Sequence, residues 1–459
     1  MKITRRQVLA SLALGAGAAR PNFLILLTDD QRFDTIRALF GGQALTPNLD
    51  RLASRGVAFT HACTQGGLSG AICMPSRAQL LTGRSVFRVH RGIVDRQGDP
   101  DPTLQTFPER LWAAGYETFA TGKWHNGRKL FNRSFQGGSR IFFGGMSDQW
   151  KTPVFEREPS GEYPPARATF ANRFSSEVFS DAAIRYLETR DRSKPFLCYV
   201  AYTSPHDPRT APPEFAKRFP EDRVELPPNF LPEHPFDNGE LRVRDELLAG
   251  FPRTPAEIRR HLAAYFAMVA EVDYQVGRVL RTLESTKDAE NTYVIFAGDN
   301  GLAAGQHGLM GKQNLYDHSL RVPLLIAGPG VPKGERRETL CHLMDVCPTV
   351  CELAGVAADS GSDGRSLRGA LRNPRGRVRD AVVAAYRGVQ RAIRTDRHKL
   401  IRYRVNGRET TQYFDLREDR HEMRNIVEQP AEARRVAELR RELHRRLREA
   451  GDADADSWA

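Results

Sequence analysis

The sequence predicts an α/β fold: a doubly wound, largely parallel central sheet flanked by helices, with a smaller C-terminal antiparallel sheet and one helix. Short, mostly apolar runs such as 23–27 and 292–297 are typical of strands buried on both faces of a parallel sheet. Helical patterns lie between these runs, and the longest is the amphipathic segment 255–286. From about residue 375 the composition changes to Arg-rich alternation followed by a charged helical segment. Strands that alternate with helices favour a parallel, doubly wound sheet.

In chain order, the predicted strands are 23–27, 57–60, 117–121, 196–202, 292–297 and 322–327, and the predicted helices are 48–55, 106–114, 171–190 and 255–286. Segments 131–167 and 208–255 are rich in Pro and lack a period, so we expect long loops that line a cleft. The C-terminal part is predicted to hold strands at 392–401 and 412–416 and a helix at 432–450. We therefore divide the chain into a signal segment (1–20), a large α/β domain (21–374) and a small α+β subdomain (375–459).

Charge and cysteine content exclude several classes. The chain of 459 residues carries a net charge of +12, which is compatible with an anionic partner. Its arginines are scattered, and no zinc-finger, RNA-binding or leucine-zipper pattern occurs, so nucleic acid is not favoured. Six cysteines are too few and too unevenly placed for a disulfide scaffold.

The N-terminus predicts export. Arg5 and Arg6 precede a run of Ala, Leu and Gly, which is typical of a twin-arginine signal, and residues 16–18 offer a cleavage site. The apolar run is too short for a stable membrane anchor. We expect a periplasmic or secreted protein.

The stretch from Cys73 to Gly83 is the most informative part of the chain. Pro75 and Ser76 are helix start signals, so Cys73 is expected just ahead of a helix N-terminus, where backbone N–H groups favour an anion. Arg77 can turn its guanidinium toward the same point. An isolated Cys in such a setting is usually a buried packing residue, so the rest of the chain must support a functional role.

Polar clusters follow several predicted strands at their carboxyl ends, where ligands bind in doubly wound sheets. Asp29 and Asp30 follow one strand, and Asp299 and Asn300 follow another. A single such pair could equally serve a turn, but two pairs offer four hard oxygen ligands, which suit Ca²⁺ or Mg²⁺ better than zinc.

The remaining candidates are basic. Lys123 and His125 follow a third strand, and His206 follows a fourth. Lys312 and His307 lie downstream of the second acidic pair, and lysine is scarce in this Arg-dominated chain. Each His alone is usually structural, but together with a divalent cation these side chains supply donors, proton carriers and charge neutralisation for an ester.

These motifs together resemble one family. Cys73-x-Pro75-Ser76-Arg77, with Leu81-Thr82-Gly83 after it, is similar to the signature of the type I sulfatases of the alkaline phosphatase superfamily. Further matches run along the chain at 27–31, 122–125, 204–207, 298–301, 308–312 and 413–416, with Glu422 and Asn425.

The resemblance implies an alkaline phosphatase-like fold and a sulfuric ester hydrolase. It implies that a formylglycine-generating enzyme converts Cys73 to formylglycine, whose hydrate attacks sulfur and later releases sulfate. By similarity, Ca²⁺ is held by Asp29, Asp30, Asp299, Asn300 and the modified Cys73.

The same resemblance implies roles for the basic residues. Arg77 stabilises the ionised diol, and Lys123 and Lys312 bind sulfate oxygens. His125 takes the proton for elimination, His206 protonates the leaving alcohol, and His307 lies at the substrate edge.

We expect a sulfated carbohydrate as substrate, because the basic charge and long loops suit a polyanion. One alternative is a phosphodiesterase or phosphonate monoester hydrolase of the same superfamily, since such a site binds any tetrahedral oxyanion. Another is a catalytically silent binder of sulfated glycans.

Overall fold

The computed structural model describes residues 20–96 and 99–459. The predicted signal segment therefore lies outside the described residues except for its last residue. The strands of the central sheet are β1 (Asn22–Thr28), β2 (Val57–Phe59), β3 (Glu117–Lys123), β4 (Gly137–Phe142), β5 (Phe196–Ala201), β6 (Thr292–Gly298), β7 (Leu324–Ala327) and β8 (Glu335–Arg337).

The sheet order is β8-β2-β7-β6-β1-β5-β3-β4. Strand β7 is antiparallel to both of its neighbours, and the other strand pairs are parallel. This confirms the predicted α/β fold with a largely parallel sheet. In the middle, β6, β1, β5 and β3 lie side by side with the same direction, so their carboxyl ends meet at one edge of the sheet.

Helices cover both faces of this sheet. Those of seven or more residues, within the described ranges, are α1 (Pro47–Ser54), α2 (Cys73–Thr82), α3 (Phe107–Ala113), α4 (Arg128–Ser134), α5 (Ser175–Thr189), α6 (Pro255–Glu284), α7 (Val346–Ala354) and α8 (Ala433–Ala450). Along β1, Phe23, Ile25 and Leu27 pack into one apolar core, and Leu24 and Leu26 pack into another on the opposite face. Burial on both faces explains why β1 appears in the sequence as a continuous apolar run.

The C-terminal part forms an antiparallel sheet of β9 (Ala381–Tyr386), β10 (Gln390–Thr395), β11 (His398–Val405) and β12 (Arg408–Asp415), with α8 packed on it. The sheet has a fifth member from far away in the chain: Gly66–Gly67 pairs in parallel with β9. The segment just before α2 is thereby tied to the C-terminal subdomain.

The structure corrects one predicted loop. Segment 131–167 contains most of α4 and the whole of β4, the edge strand of the central sheet. The sequence concealed this strand because its first four residues are only half-buried and two of them are glycines, so no apolar run marks it. Segment 208–255 is largely irregular, as predicted, and carries only short helical turns.

Among the described residues, no helix combines the length and apolar character needed to cross a membrane.

Candidate active site

Four strand ends bring the predicted polar clusters together. Asp29 and Asp30 follow β1, His206 lies beyond β5, and Asp299 follows β6. Lys123 is the last residue of β3 and not part of the loop after it, because the strand continues two residues beyond the predicted end. Gly122 adopts a positive φ of 91°, and a side chain there would collide with the Ala201 carbonyl of β5. Only glycine lets β3 approach β5 so closely just before Lys123.

Cys73 is the first residue of α2, where the sequence predicted it just ahead of the helix. The helix begins earlier because Pro75, as the third helical residue, occupies a position where its missing N–H costs nothing. Ser76 does not cap the helix; its hydroxyl donates to the Asp299 carbonyl at 2.6 Å. The bond ties the first turn of α2 to the end of β6.

The Cys73 thiol is buried among charged groups. Its Sγ lies 3.2 Å from Asp29 Oδ1 and 3.6 Å from Asp30 Oδ1, and Lys312 Nζ approaches it to 3.0 Å. Burial raises the pKa of the thiol well above its usual value, and the three nearby carboxylates raise it further. The unmodified side chain is therefore a neutral thiol and a poor nucleophile.

The carboxylates are matched by cations. Arg77 Nε donates to Asp299 Oδ2 at 2.8 Å, Lys123 Nζ donates to Asp29 Oδ2, and Lys312 Nζ contacts both oxygens of Asp30 at 2.7 and 2.6 Å. Three buried carboxylates thus face three buried cations. The result is a net charge near zero at the centre of the site.

These cations affect the pKa values of Asp29 and Asp30 differently. Burial would raise the pKa of Asp29, but Lys123, Arg77 and Lys312 together hold it below its usual value. Burial raises the pKa of Asp30 to about 8, and repulsion from Asp29 and Asp299 adds to that rise. Lys312 therefore does not offset the cost of burying the Asp30 charge, and further positive charge would stabilise the ionised carboxylate.

The donor set fits a hard divalent cation. Asp29, Asp30, Cys73 and His206 each present a ligand atom within 4.8 Å of the others. Asn300 is fully buried, and neither its Oδ1 nor its Nδ2 has a hydrogen-bond partner. Carboxylate and amide oxygens are the ligands that Ca²⁺ and Mg²⁺ prefer. Asp299 lies outside the 4.8 Å group, since its oxygens accept from Arg77 Nε and from the Asp30 backbone N–H.

Two histidines border the site. His206 Nδ1 lies 2.7 Å from the Asp207 carbonyl oxygen. Because a carbonyl can only accept, Nδ1 is the donor, and Nε2 is the nitrogen left to exchange protons. His125 is half-buried, and its Nδ1 has no partner. Burial, with help from Lys312 and Lys123, lowers the pKa of His206 to about 3, and burial likewise lowers that of His125.

Lys312 is positioned by a buried pair of charges that sequence reasoning missed. Glu246 accepts the backbone N–H groups of Met310 and Gly311, at 2.8 and 2.9 Å, and pairs with Arg253 Nη2 at 2.7 Å. Both residues come from the irregular segment 208–255, where no periodic pattern distinguishes them. They fix the backbone that carries Lys312.

A cavity of about 300 Å³ opens over Cys73. His125, His206 and Lys312 line it together with four residues that the sequence did not single out: Met146, Arg244, Asp245 and Gln313. Arg244 bonds Asp207 at 2.5 and 3.1 Å and Asp245 at 2.6 Å, so it crosses the cavity mouth with its guanidinium held at both ends.

His307 does not join this group. Its ring stacks on Tyr316 with 4.0 Å between centroids, and its Nε2 contacts Asn229 Nδ2 at 3.0 Å. It is not among the residues that line the cavity over Cys73. The structure therefore places it in the packing behind the site and not at the substrate edge.

Comparison with known families agrees with this geometry. The family model for sulfatases matches residues 21–356, and a model for the C-terminal part of N-sulphoglucosamine sulphohydrolase matches residues 305–450. The N-acetylglucosamine-6-O-sulfatase of Bacteroides thetaiotaomicron is 28% identical over 95% of this chain and 88% of its own length. The human N-acetylglucosamine-6-sulfatase is 27% identical over 84% of this chain and 70% of its own.

Solved structures show the same fold. A protein in complex with its substrate D-glucosamine-2-N,6-O-disulfate superposes with a TM-score of 0.79 and 26% identity, covering 95% of this chain and 99% of that one. The phosphonate monoester hydrolase of Agrobacterium radiobacter superposes with a TM-score of 0.75 at 21% identity, over 94% of this chain and 96% of that one, a likeness of fold alone. The chain belongs to the sulfatase family of the alkaline phosphatase superfamily, and it is a sulfatase enzyme.

Proposed function

We propose that the enzyme removes sulfate from a glycosaminoglycan-type saccharide, with a sulfated glucosamine residue in the cavity over Cys73. The observation that carries the proposal is the position of Cys73 Sγ beneath that cavity, 3.0 Å from Lys312 Nζ and beside three buried carboxylates. The substrate class is supported by relatives that act on N-acetylglucosamine 6-sulfate and by the similar protein solved with a disulfated glucosamine.

The nucleophile is proposed to be formylglycine made from Cys73. The hydrated aldehyde would supply a hydroxyl for attack on sulfur and a second hydroxyl through which sulfate is released. A maturation enzyme must therefore act on this chain. Because Cys73 is only 3% exposed, that enzyme has to reach the peptide before the fold closes over it.

Asp29, Asp30, Asp299 and Asn300 are proposed to hold Ca²⁺, with Mg²⁺ as the other candidate. The assignment is supported by the Asn300 amide, which has no hydrogen bond among the described residues, and by the buried ligand atoms that Asp29, Asp30 and Cys73 bring together. When bound, the cation supplies positive charge that draws a sulfate ester into the site and polarises its S–O bonds.

The cationic side chains would bind the sulfate group. Arg77 is fully buried, and its Nη2 lies 3.7 Å from Asp29 Oδ1 without a hydrogen bond among the described residues, so this donor can turn to a sulfate oxygen. Its Nη1 donates to the Lys123 carbonyl at 3.0 Å, which holds the guanidinium beside the end of β3. Lys123 donates to one carboxylate, so its remaining ammonium hydrogens are available for sulfate oxygens. Lys312 contacts both Asp30 oxygens and Cys73 Sγ, so it would give up one of these contacts to donate to sulfate.

The two histidines would move protons. His206 lines the cavity, and Gln149 Nε2 donates to the His206 backbone carbonyl at 3.1 Å, so we assign it the proton for the leaving alcohol. The negative charge of a bound sulfate ester would raise the pKa of the ring and let Nε2 carry this proton. His125 Nδ1 is unpartnered on the other side of the cavity, and we assign it the proton removed in the release of sulfate.

The N-terminal segment supports export by the twin-arginine route to the periplasm or beyond. Residues 1–20 form the proposed signal, 21–374 the catalytic domain and 375–459 the C-terminal subdomain. That route carries folded proteins, so the maturation of Cys73 would precede export.

Desulfation of N-acetylglucosamine 6-sulfate tests the proposal, using enzyme produced together with a formylglycine-generating enzyme. We expect sulfate release from the converted enzyme and none from Cys73→Ala, with mass spectrometry of the Cys73 peptide reporting conversion. Converted enzyme that hydrolyses a matched aryl phosphodiester faster than the aryl sulfate would contradict the assignment. Converted enzyme that binds sulfated glycans without turnover would do the same.

A further inference from the structure

A second cavity, of about 470 Å³, lies in the same molecule and shares no lining residue with the cavity over Cys73. It forms where the catalytic domain meets the C-terminal subdomain: Phe33 and Phe40 come from the segment after β1, His318 and Arg321 from the segment before β7, and His421 from beyond β12. Its volume falls within the range of about 300–1,000 Å³ that small-molecule sites occupy.

The floor of this second cavity carries polar atoms that lack partners. Both ring nitrogens of His318, Oε1 of Gln306, Oδ1 of Asn229 and Nε of Arg321 are buried without a hydrogen bond among the described residues. All four side chains are more than nine-tenths buried. Buried polar groups are almost always satisfied, so several free ones on side chains that line one cavity favour a polar occupant there, either ordered water or a ligand.

The floor is also rigid. Asn229 Nδ2 donates to the His421 carbonyl at 3.0 Å, which fixes its amide and leaves Oδ1 as the free acceptor. The His318 ring packs on Tyr316 with 5.5 Å between centroids. Arg321 lies over the Phe33 ring at 3.7 Å and is held by Asp317. These groups are therefore set in place before any ligand arrives, which reduces the entropic cost of binding.

The chemistry of the floor selects hydroxyl groups. Burial keeps the pKa of His318 well below its usual value, so the neutral ring offers one N–H donor and one acceptor. Gln306 and Asn229 add acceptors, and Arg321 adds a donor. A sulfate or phosphate would instead need several cations, yet Arg321 is already paired with Asp317. A polyol, whose hydroxyls both donate and accept, matches this mixture.

The residues at the walls and rim of the second cavity also suit a polyol. Phe33 and Phe40 meet edge to face at 5.1 Å and present half-buried apolar surface to the cavity. The exposed lining residues carry both signs, with Arg336 and Arg420 beside Glu338. Apolar C–H faces next to a ring of hydroxyls are the chemical character of a sugar. We propose that this second cavity is a non-catalytic saccharide-binding site, in which one sugar residue places its hydroxyls on the floor formed by Asn229, Gln306, His318 and Arg321.

The test uses an unsulfated disaccharide of glucuronate and N-acetylglucosamine as the probe, because it lacks the ester group that the catalytic cavity is expected to bind. Saturation-transfer NMR and titration calorimetry on the full chain should show binding in the millimolar range or tighter. Gln306→Leu removes a free acceptor without removing a protein hydrogen bond from that oxygen. We expect it to weaken binding about tenfold while leaving the melting temperature unchanged or raised.

Arg420→Ala, at the exposed rim, tests the same cavity without touching buried groups, and Arg417→Ala, also exposed but outside the lining, is the matched control. Equal binding by wild type and Gln306→Leu would overturn the proposal, as would no binding up to about 20 mM. A response to inorganic sulfate but not to the disaccharide would assign an anion site and also overturn it. Desulfation of N-acetylglucosamine 6-sulfate, measured in parallel, reports on the proposed function separately.

Discussion

Two clusters of buried charged side chains, one around Glu246 and Arg253 and the other around Cys73, differ in how many of their polar atoms lack a hydrogen bond. In the cluster of Glu246 and Arg253, the guanidinium donates to Glu246 and to the carbonyls of 249, 250 and 308, and both carboxylate oxygens also accept backbone N–H groups. In the catalytic cluster, Arg77 Nη2 and the whole amide of Asn300 have no hydrogen bond within the described part of the chain, although Arg77 Nη2 lies 3.7 Å from Asp29 Oδ1. The first cluster is complete without a ligand, and the second needs one.

The comparison teaches that burial and charge do not identify a functional site by themselves. Both clusters are almost wholly inaccessible to solvent, and both contain an acid paired with a base. What separates them is unsatisfied hydrogen-bonding capacity, because leaving a buried polar group unpaired costs free energy that a bound ligand can return. Changes in the catalytic cluster should therefore affect rate, and changes in the other should affect stability.

The largest expected effect is on rate. Lys312→Ala removes the ammonium group that contacts Cys73 Sγ and both Asp30 oxygens, and we expect kcat/KM for N-acetylglucosamine 6-sulfate to fall about 10³-fold. Lys217→Ala, at an exposed lysine, is the control. A Lys312 variant that retained more than a tenth of the activity would remove the distinction between the clusters.

The next effect is on stability. Arg253→Met leaves Glu246 buried without its cation, and we expect the free energy of unfolding to fall by about 3 kcal/mol, measured by urea denaturation. Below the new melting temperature the folded variant should keep activity within tenfold of wild type. A variant with unchanged stability and no activity would place Arg253 in the chemistry instead.

Glu271 is a buried acid outside both clusters, and its titration should make the stability of the fold depend on pH. Glu271, in α6, forms no ion pair within the described part of the chain, and burial raises its pKa to about 8 from an ordinary value of 4.5. The folded state therefore binds a proton that the unfolded state has released, so its contribution to stability is largest below pH 4.5 and is lost as the pH rises toward 8.

Between about pH 6 and pH 7.5 this loss should amount to roughly 2 kcal/mol, and Glu271→Gln should remove it. Urea denaturation of both proteins at the two pH values is the measurement. Parallel pH profiles for wild type and variant would show that Glu271 titrates normally.

The smallest effect is expected where charge is fully exposed. Arg434 pairs with Glu438 on the outer face of α8 at 3.1 Å, and 92% of the arginine side chain is accessible. Arg434→Ala should change the free energy of unfolding by less than about 0.5 kcal/mol, since exposed pairs one helical turn apart contribute little. A larger loss by thermal denaturation would indicate that the α8 surface contacts something else.

Much of the site could be predicted from sequence because parallel strands leave a strong signal. An apolar run followed at once by Asp29 and Asp30, or by Asp299 and Asn300, fixes both the element and the edge of the sheet where its polar end emerges. The proximity of these pairs follows from topology, and the structure confirms that β6 and β1 are neighbours.

The residues that sequence reasoning missed come from segments without a period. Arg244, Asp245 and Met146 reach the cavity from irregular chain, where neither spacing nor composition indicates which side chain points inward. His307 is the converse case: it lies in a recognisable motif, but its ring stacks on Tyr316 and it does not line the cavity over Cys73. The second cavity could not be foreseen, because its floor is assembled from three separate parts of the chain, at 229, 306 and 318–321.

The pairing of Gly66–Gly67 with β9 can form only late in the synthesis of the chain. Gly66 pairs with Ala385, so the strand cannot form until more than 300 further residues have been made. At about 5–20 residues per second, that delay is roughly 15–60 s. Throughout it, the peptide just upstream of Cys73 lacks its partner strand, so the thiol would stay within reach of the proposed maturation enzyme. The formation of the C-terminal sheet ends this period.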